Sequence, residues 1–134
     1  MIDVDPFTIR IFLHLLAVTV WVGGQIVLAA LLPVIRKLGP EAPGAVARQF
    51  AFVAWPFYAL LVGTGIWNLL SIDFTSRTFG YQLVFFIKLI LVALSGLAAW
   101  GHTRASSSLV KGITGGGAAV TAVGAFTCGV LMVT

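Results

Sequence analysis

The chain has 134 residues, 60% of them hydrophobic and 9% charged, with a formal net charge of +4 and a mean hydropathy of +1.08. A soluble domain carries roughly 25% charged residues, so this composition excludes a water-covered globule and leaves one membrane-embedded domain over 1–134. The few basic residues stand at the ends of apolar runs rather than in an aromatic-interleaved patch, which argues against a nucleic-acid partner, and the single cysteine, Cys128, excludes an intrachain disulfide or a CxxC pair.

At the amino terminus, Asp3 and Asp5 stand where a signal peptide would have its basic region, and the apolar run that follows is too long for one. That run, about 12–35, is the first of four segments near the ~20 residues that cross a hydrocarbon core; the others are about 50–71, 81–100 and 112–134. None alternates with the period a barrel strand needs. The fold class expected is all-α, an integral membrane four-helix bundle running up and down, its partner the lipid bilayer. Pro40, Pro43 and Gly44 mark the first loop, Asp73, Ser76 and Gly80 the second, and Ser106 to Ser108 the third. Pro33 and Pro56 fall inside apolar runs, where neighbouring groups can re-satisfy the carbonyls that proline leaves unpaired.

Loop charge predicts orientation. The first and third loops carry Arg36, Lys37, Arg48, Arg104 and Lys111, whereas the opposite side has Arg10 and Arg77 beside Asp3, Asp5 and Asp73. Basic residues in short loops mark the cytoplasmic side, so both termini are expected to be extracytoplasmic, in a multi-pass protein of the inner membrane.

Polar residues inside spans are costly and normally face the protein interior. On the first helix, Arg10, His14, Trp21 and Gln25 share a face; on the third, Tyr81, Lys88, Ser95 and His102 recur every seven residues; on the fourth, Thr114, Thr121 and Cys128 do so, with Met132 one turn on. At 1.5 Å per residue, His14 and Lys88 are expected about 10 Å below the outer boundary and Cys128 about 9 Å below it, while His102 is about 20 Å along the helix from Lys88. Each residue also has a plainer reading. His14 could bond a backbone carbonyl or a glutamine, Lys88 could snorkel, and Cys128 and Met132 could simply pack. Trp55, Trp67, Trp100 and Tyr81 read as interfacial anchors. Gly117, Thr121, Ala125 and Gly129 form a small-residue ridge suited to a close helix partner, in this chain, in a second copy or in a larger membrane complex. No nucleophile elbow, phosphate loop, HExxH or paired carboxylates occur, which gives no support to a hydrolytic or phosphoryl-transfer enzyme.

The segment from His14 through Trp21 to Gly23 and Gly24, then Thr78-Phe-Gly-Tyr-Gln, Lys88-Leu-Ile-Leu-Val and Ala99, with Arg48, Phe50 and the Gly63-x-Gly65 step between them, resembles the pattern of the CopD-like (copper-resistance D) membrane proteins. The resemblance covers nearly the whole chain in order and spacing. It implies copper entry or handling at the bacterial inner membrane. Copper(I) prefers thiolate, thioether and imidazole ligands, which Cys128, Met132 and His14 could supply. A related pattern, a first-helix His followed by Trp and a third-helix Lys, is similar to the HemJ-like family linked to protoporphyrinogen oxidation. This second likeness implies haem b held by His14 and Lys88. A third possibility is an accessory subunit without chemistry of its own, consistent with the small size and the ridge.

Overall fold

A computed structural model describes residues 4–134. Asp3, one of the residues weighed for signal and orientation, lies outside the described residues. The described chain is all-α, with four helices long and apolar enough to cross a membrane: α1 Pro6–Lys37, α2 Ala42–Leu70, α3 Phe79–Arg104 and α4 Ser108–Leu131. Their outward faces are apolar, with Phe52, Leu70, Phe79, Leu97 and Val120 all more than half exposed. Such surface would be a liability in water and is suited to lipid. The chain is therefore a multi-pass membrane protein.

The helices begin earlier than hydropathy alone suggests because their caps lie outside the apolar runs. Asp5 accepts from the Thr8 amide at 2.7 Å, and Pro6 supplies a preset φ for the first turn. Pro43 and Gly44, expected in the first loop, lie instead in the first turn of α2, where proline's missing N–H costs nothing. The loop itself narrows to Leu38–Glu41, and Gly39 at φ +129° makes the turn that a side chain would strain. Gly80 likewise falls in the first turn of α3, behind the Thr78 cap, and Ser108 opens α4 behind the Ser107 cap. At its far end α4 stops at Leu131, short of the expected Thr134.

Contacts divide the chain into two units, Met1–Ile72 and Asp73–Thr134. Each is a helical hairpin, and in each the side-chain pairing is antiparallel. In the first, His14 meets Thr64, Trp21 meets Tyr58, and Gly24 meets Phe50. In the second, Lys88 meets Gly129, Leu91 meets Gly124, Ser95 meets Ala118, and His102 meets Gly115. Buried positions in α1 and α2 include Arg10, Ala17, Trp21, Ala54, Leu61 and Thr64. In the second hairpin they are Ser95, Gly96, Ala118, Ala122, Ala125 and Cys128.

The small-residue ridge of the fourth helix does pack on a helix, and that helix is α3. Its centre differs from the expected row, however. Ala118, Ala122 and Ala125 are buried to 6% exposure or less, whereas a side chain on Gly117 would only reach ordinary contact with Ala98, 3.9 Å away. A seam that stays on its partner alternates steps of four and three residues, while a strict four-residue row drifts around the helix.

Candidate functional site

The first hairpin places a polar column above an aromatic floor. Thr64 is 4% exposed, and its hydroxyl lies 2.7 Å from the Leu60 carbonyl one turn back in α2. A hydroxyl has one proton to give. With that proton given to Leu60, Thr64 Oγ1 is placed to accept from His14 Nδ1–H, 2.8 Å away, and the bond orients the imidazole ring. This is how a second residue commonly prepares a histidine for a metal. At Nδ1 the partner is thus the Thr64 hydroxyl rather than the backbone carbonyl or glutamine of the plainer expectation. Thr64 carried no sequence signal beyond being a polar residue in an apolar run.

One turn toward the amino terminus, Arg10 is 9% exposed, with its guanidinium 5.4 Å from the Phe7 ring centre. Below His14 the seam closes on Ala17 and Leu61, then on three aromatic rings. The Trp21 ring centre is 4.4 Å from that of Tyr58 and 5.5 Å from that of Trp55, and Trp55 is 5.5 Å from Tyr58. Trp55 therefore belongs to an intrahairpin cluster and not, as expected, to an interfacial belt. Trp67 and Trp100 remain largely exposed on outward faces, the latter under Arg104 at 4.7 Å. Tyr81 stacks near Phe74 and carries Arg77 at 5.3 Å.

Trp21 sits in a π-helical turn, Thr19–Gly23, which widens α1 by one residue. Gln25 uses its amide to bond the Trp21 carbonyl at 3.0 Å, placing a side-chain donor at the widened turn. The β-branched Thr19, Val20 and Val22 followed by Gly23 and Gly24 are the sequence signal for such an irregularity, a crowded turn beside two permissive residues. Beyond it, α1 and α2 enclose a shallow apolar groove of about 480 Å³ lined by Gly24, Leu28, Val46 and Phe50 among others.

The second hairpin holds the remaining candidates. Lys88 is half-buried, and its Nζ lies 3.4 Å from the place a Cβ on Gly129 would occupy. The missing side chain thus makes room for the lysine to lie across α4, beside Cys128, rather than run outward to lipid. Cys128 is buried as a free thiol; Met132, one turn on, caps α4 and is half-buried. His102 is tied to the opposite end of this hairpin, donating Nδ1–H to the Lys111 carbonyl at 2.9 Å. The proposed ligands are thus distributed, His14 in the first hairpin and Lys88, Cys128 and Met132 in the second. Among the described residues, no three of His, Cys, Asp and Glu group as a metal cage. Compared with protein-family models, with curated proteins and with solved structures, the chain matches none.

Proposed function

We propose that this protein handles copper at the bacterial inner membrane, with His14 as an imidazole donor of the first hairpin and Cys128 and Met132 as soft donors of the second. The observation that carries the reading is the Thr64–His14 hydrogen bond, which orients an imidazole at a half-buried position inside a span. Thiol and thioether groups one helical turn apart suit copper(I), whose ligand preference runs to sulfur and imidazole. Copper here is cargo, bound and passed on, and the four carboxylates of the chain all stand outside the spans, leaving no hard oxygen donors from acidic side chains there.

A second reading has its own support. The same hydrogen bond holds an imidazole of the kind that ligates haem iron, and Lys88 lies against α4 instead of snorkelling outward. As a haem b protein the chain would take electron-transfer chemistry from the haem, and His14 would supply an axial nitrogen.

Purified protein, reconstituted with copper(I) under reducing conditions and separately examined by reduced-minus-oxidised absorption, distinguishes the two. Stoichiometric copper that is lost in His14→Ala and reduced in Cys128→Ser supports the first reading. A haem band that disappears in His14→Ala supports the second. Copper retention unchanged in both variants, with no haem band, defeats both and favours an accessory subunit.

The orientation we propose has both termini extracytoplasmic, on the strength of Arg36, Lys37, Arg48, Arg104 and Lys111 near the first and third loops. Alkaline phosphatase fused after Thr134 should be active and a cytoplasm-dependent fluorescent fusion dark; the opposite pattern reverses the topology.

A further inference from the structure

The antiparallel register of the first hairpin has a second polar layer, one turn above His14 and Thr64. Arg10 precedes His14 by four residues and Asn68 follows Thr64 by four, so the two fall on the same facing sides of α1 and α2. Both carry a buried atom without a hydrogen-bond partner, Nε of Arg10 and Oδ1 of Asn68. Arg10 is also a permanent cation at 9% exposure. Within the described part of this hairpin the side-chain carboxylates are Asp5 and Glu41. Asp5 feels the Arg10 charge, but its Oδ1 is engaged by the amide and the hydroxyl of Thr8, each at 2.7 Å, and Glu41 stands in the loop at the far end of the hairpin.

From this layer we infer that Arg10 and Asn68 form a binding site for a phosphate-class oxyanion. A buried guanidinium calls for an anion. A water molecule would satisfy both orphaned atoms and leave the guanidinium only the weak, solvent-screened attraction of exposed Asp5. The ligand must accept from Arg10 Nε–H and donate to Asn68 Oδ1, so it carries an anionic oxygen and a hydroxyl together. Hydrogen phosphate has both. So does the headgroup of phosphatidylglycerol, whose phosphodiester accepts while its glycerol hydroxyls donate. Arg10 lies four residues into α1, about 6 Å along the helix from Pro6 at 1.5 Å per residue, a depth that lipid phosphates reach. The inference is independent of the metal reading.

The test uses the full chain in neutral detergent, stripped of lipid, with thermal unfolding as the readout. Inorganic phosphate is titrated against chloride at equal ionic strength, and phosphatidylglycerol against phosphatidylcholine. The wild type should gain stability saturably with phosphatidylglycerol, with phosphate, or with both. A response to the lipid alone assigns the headgroup, a response to phosphate assigns the free oxyanion, and either supports the site. Arg10→Gln should require about tenfold more ligand or more, having lost a charge-assisted pair. Asn68→Asp supplies an internal anion beside Arg10, so it should be more stable without ligand and should no longer respond. A wild-type response equal to the chloride and phosphatidylcholine controls overturns the proposal, as does an Arg10→Gln titration that matches wild type. Should Arg10→Gln fail to fold, Asn68→Asp decides, and a wild-type response in that variant overturns the site.

Discussion

The two hairpins use the same architecture and opposite packing chemistry. In the first, the seam is made of large and polar side chains: a buried arginine, a histidine bonded to a threonine, and three aromatic rings. In the second it is made of alanine, glycine and serine, so close that Ser95 Oγ reaches the Ala118 carbonyl at 2.9 Å across the helices. Helices in lipid gain little from hydrophobic transfer and associate through close packing and interhelical hydrogen bonds. The second hairpin therefore behaves as a fitted scaffold in which volume is critical. The first has atoms whose hydrogen-bonding capacity is directed by neighbours, and both proposed ligand sites draw on it.

This contrast predicts its largest effect in the second hairpin. Ala122 is 2% exposed on the seam, whereas Val120, two residues away, is 72% exposed. Ala122→Leu should cost about 1–3 kcal/mol or more by overpacking, read as loss of thermal stability in detergent, while Val120→Leu should be silent. Gly117→Leu should fall between them, since its nearest cross-helix neighbour is 3.9 Å away. If Ala122→Leu were as stable as Val120→Leu, the fitted-scaffold picture of this hairpin would be wrong.

The next effect belongs to the first hairpin and separates chemistry from volume. Thr64→Val keeps shape but removes the acceptor that Thr64 gives to His14 Nδ1–H. An unsatisfied buried donor costs about 1–3 kcal/mol, and loss of a group orienting a metal-binding histidine typically weakens the metal by about 10–100-fold. Thr64→Ser should restore both stability and binding. A Thr64→Val protein that binds copper or haem like wild type would mean that Thr64 does not orient the ring for binding.

How much of this was legible in the sequence follows the same division. The four spans could be read from hydropathy because membrane length is a property of composition. The Lys88, Ser95 and His102 repeat was also legible, since all three do face α4. Seam phase on α4 was not: Gly117 and Ala118 are both small, and composition does not tell which one faces the partner. Thr64 escaped notice because a lone threonine in an apolar helix ordinarily bonds its own backbone, as Thr121 and Thr127 do. Its additional role as acceptor depends on a residue 50 positions away. The π turn at Thr19–Gly23 was hidden by the apparent regularity of Arg10, His14, Trp21 and Gln25, whose spacing assumes an uninterrupted helix.

A smaller effect tests whether hydrogen bonding adds to close packing in the second hairpin. Ser95→Ala removes the bond to the Ala118 carbonyl and leaves the small seam volume intact. Interhelical hydrogen bonds in membranes contribute about 0.6 kcal/mol on average, so the variant should be only slightly less stable, well above Ala122→Leu. A Ser95→Ala loss as large as that of Ala122→Leu would make the hydrogen bond, rather than shape, the principal tie.

The smallest effect lies at the cap that starts α1 and so sets the height of Arg10 and His14. The Thr8 hydroxyl and then the Thr8 amide, by donating to Asp5, hold its carboxyl below the ordinary carboxylate range. A carboxyl whose pKa is depressed in the folded state stabilises that state while ionised. Its contribution is therefore complete at neutral pH and above the unfolded value, and it is lost as acidification passes from the unfolded pKa down through the folded one. Full solvent exposure screens the interaction, so the change in unfolding temperature from pH 7 into the acid range should be slight. Asp5→Asn retains a capping oxygen and removes the titration. Its unfolding temperature should therefore vary less with acid pH than that of wild type, while Asp73, likewise held low by Thr75 and Ser76, titrates equally in both proteins and cancels in the comparison. Identical pH profiles for wild type and Asp5→Asn would show that the cap acts through geometry alone, with its charge contributing nothing to the placement of the first helix.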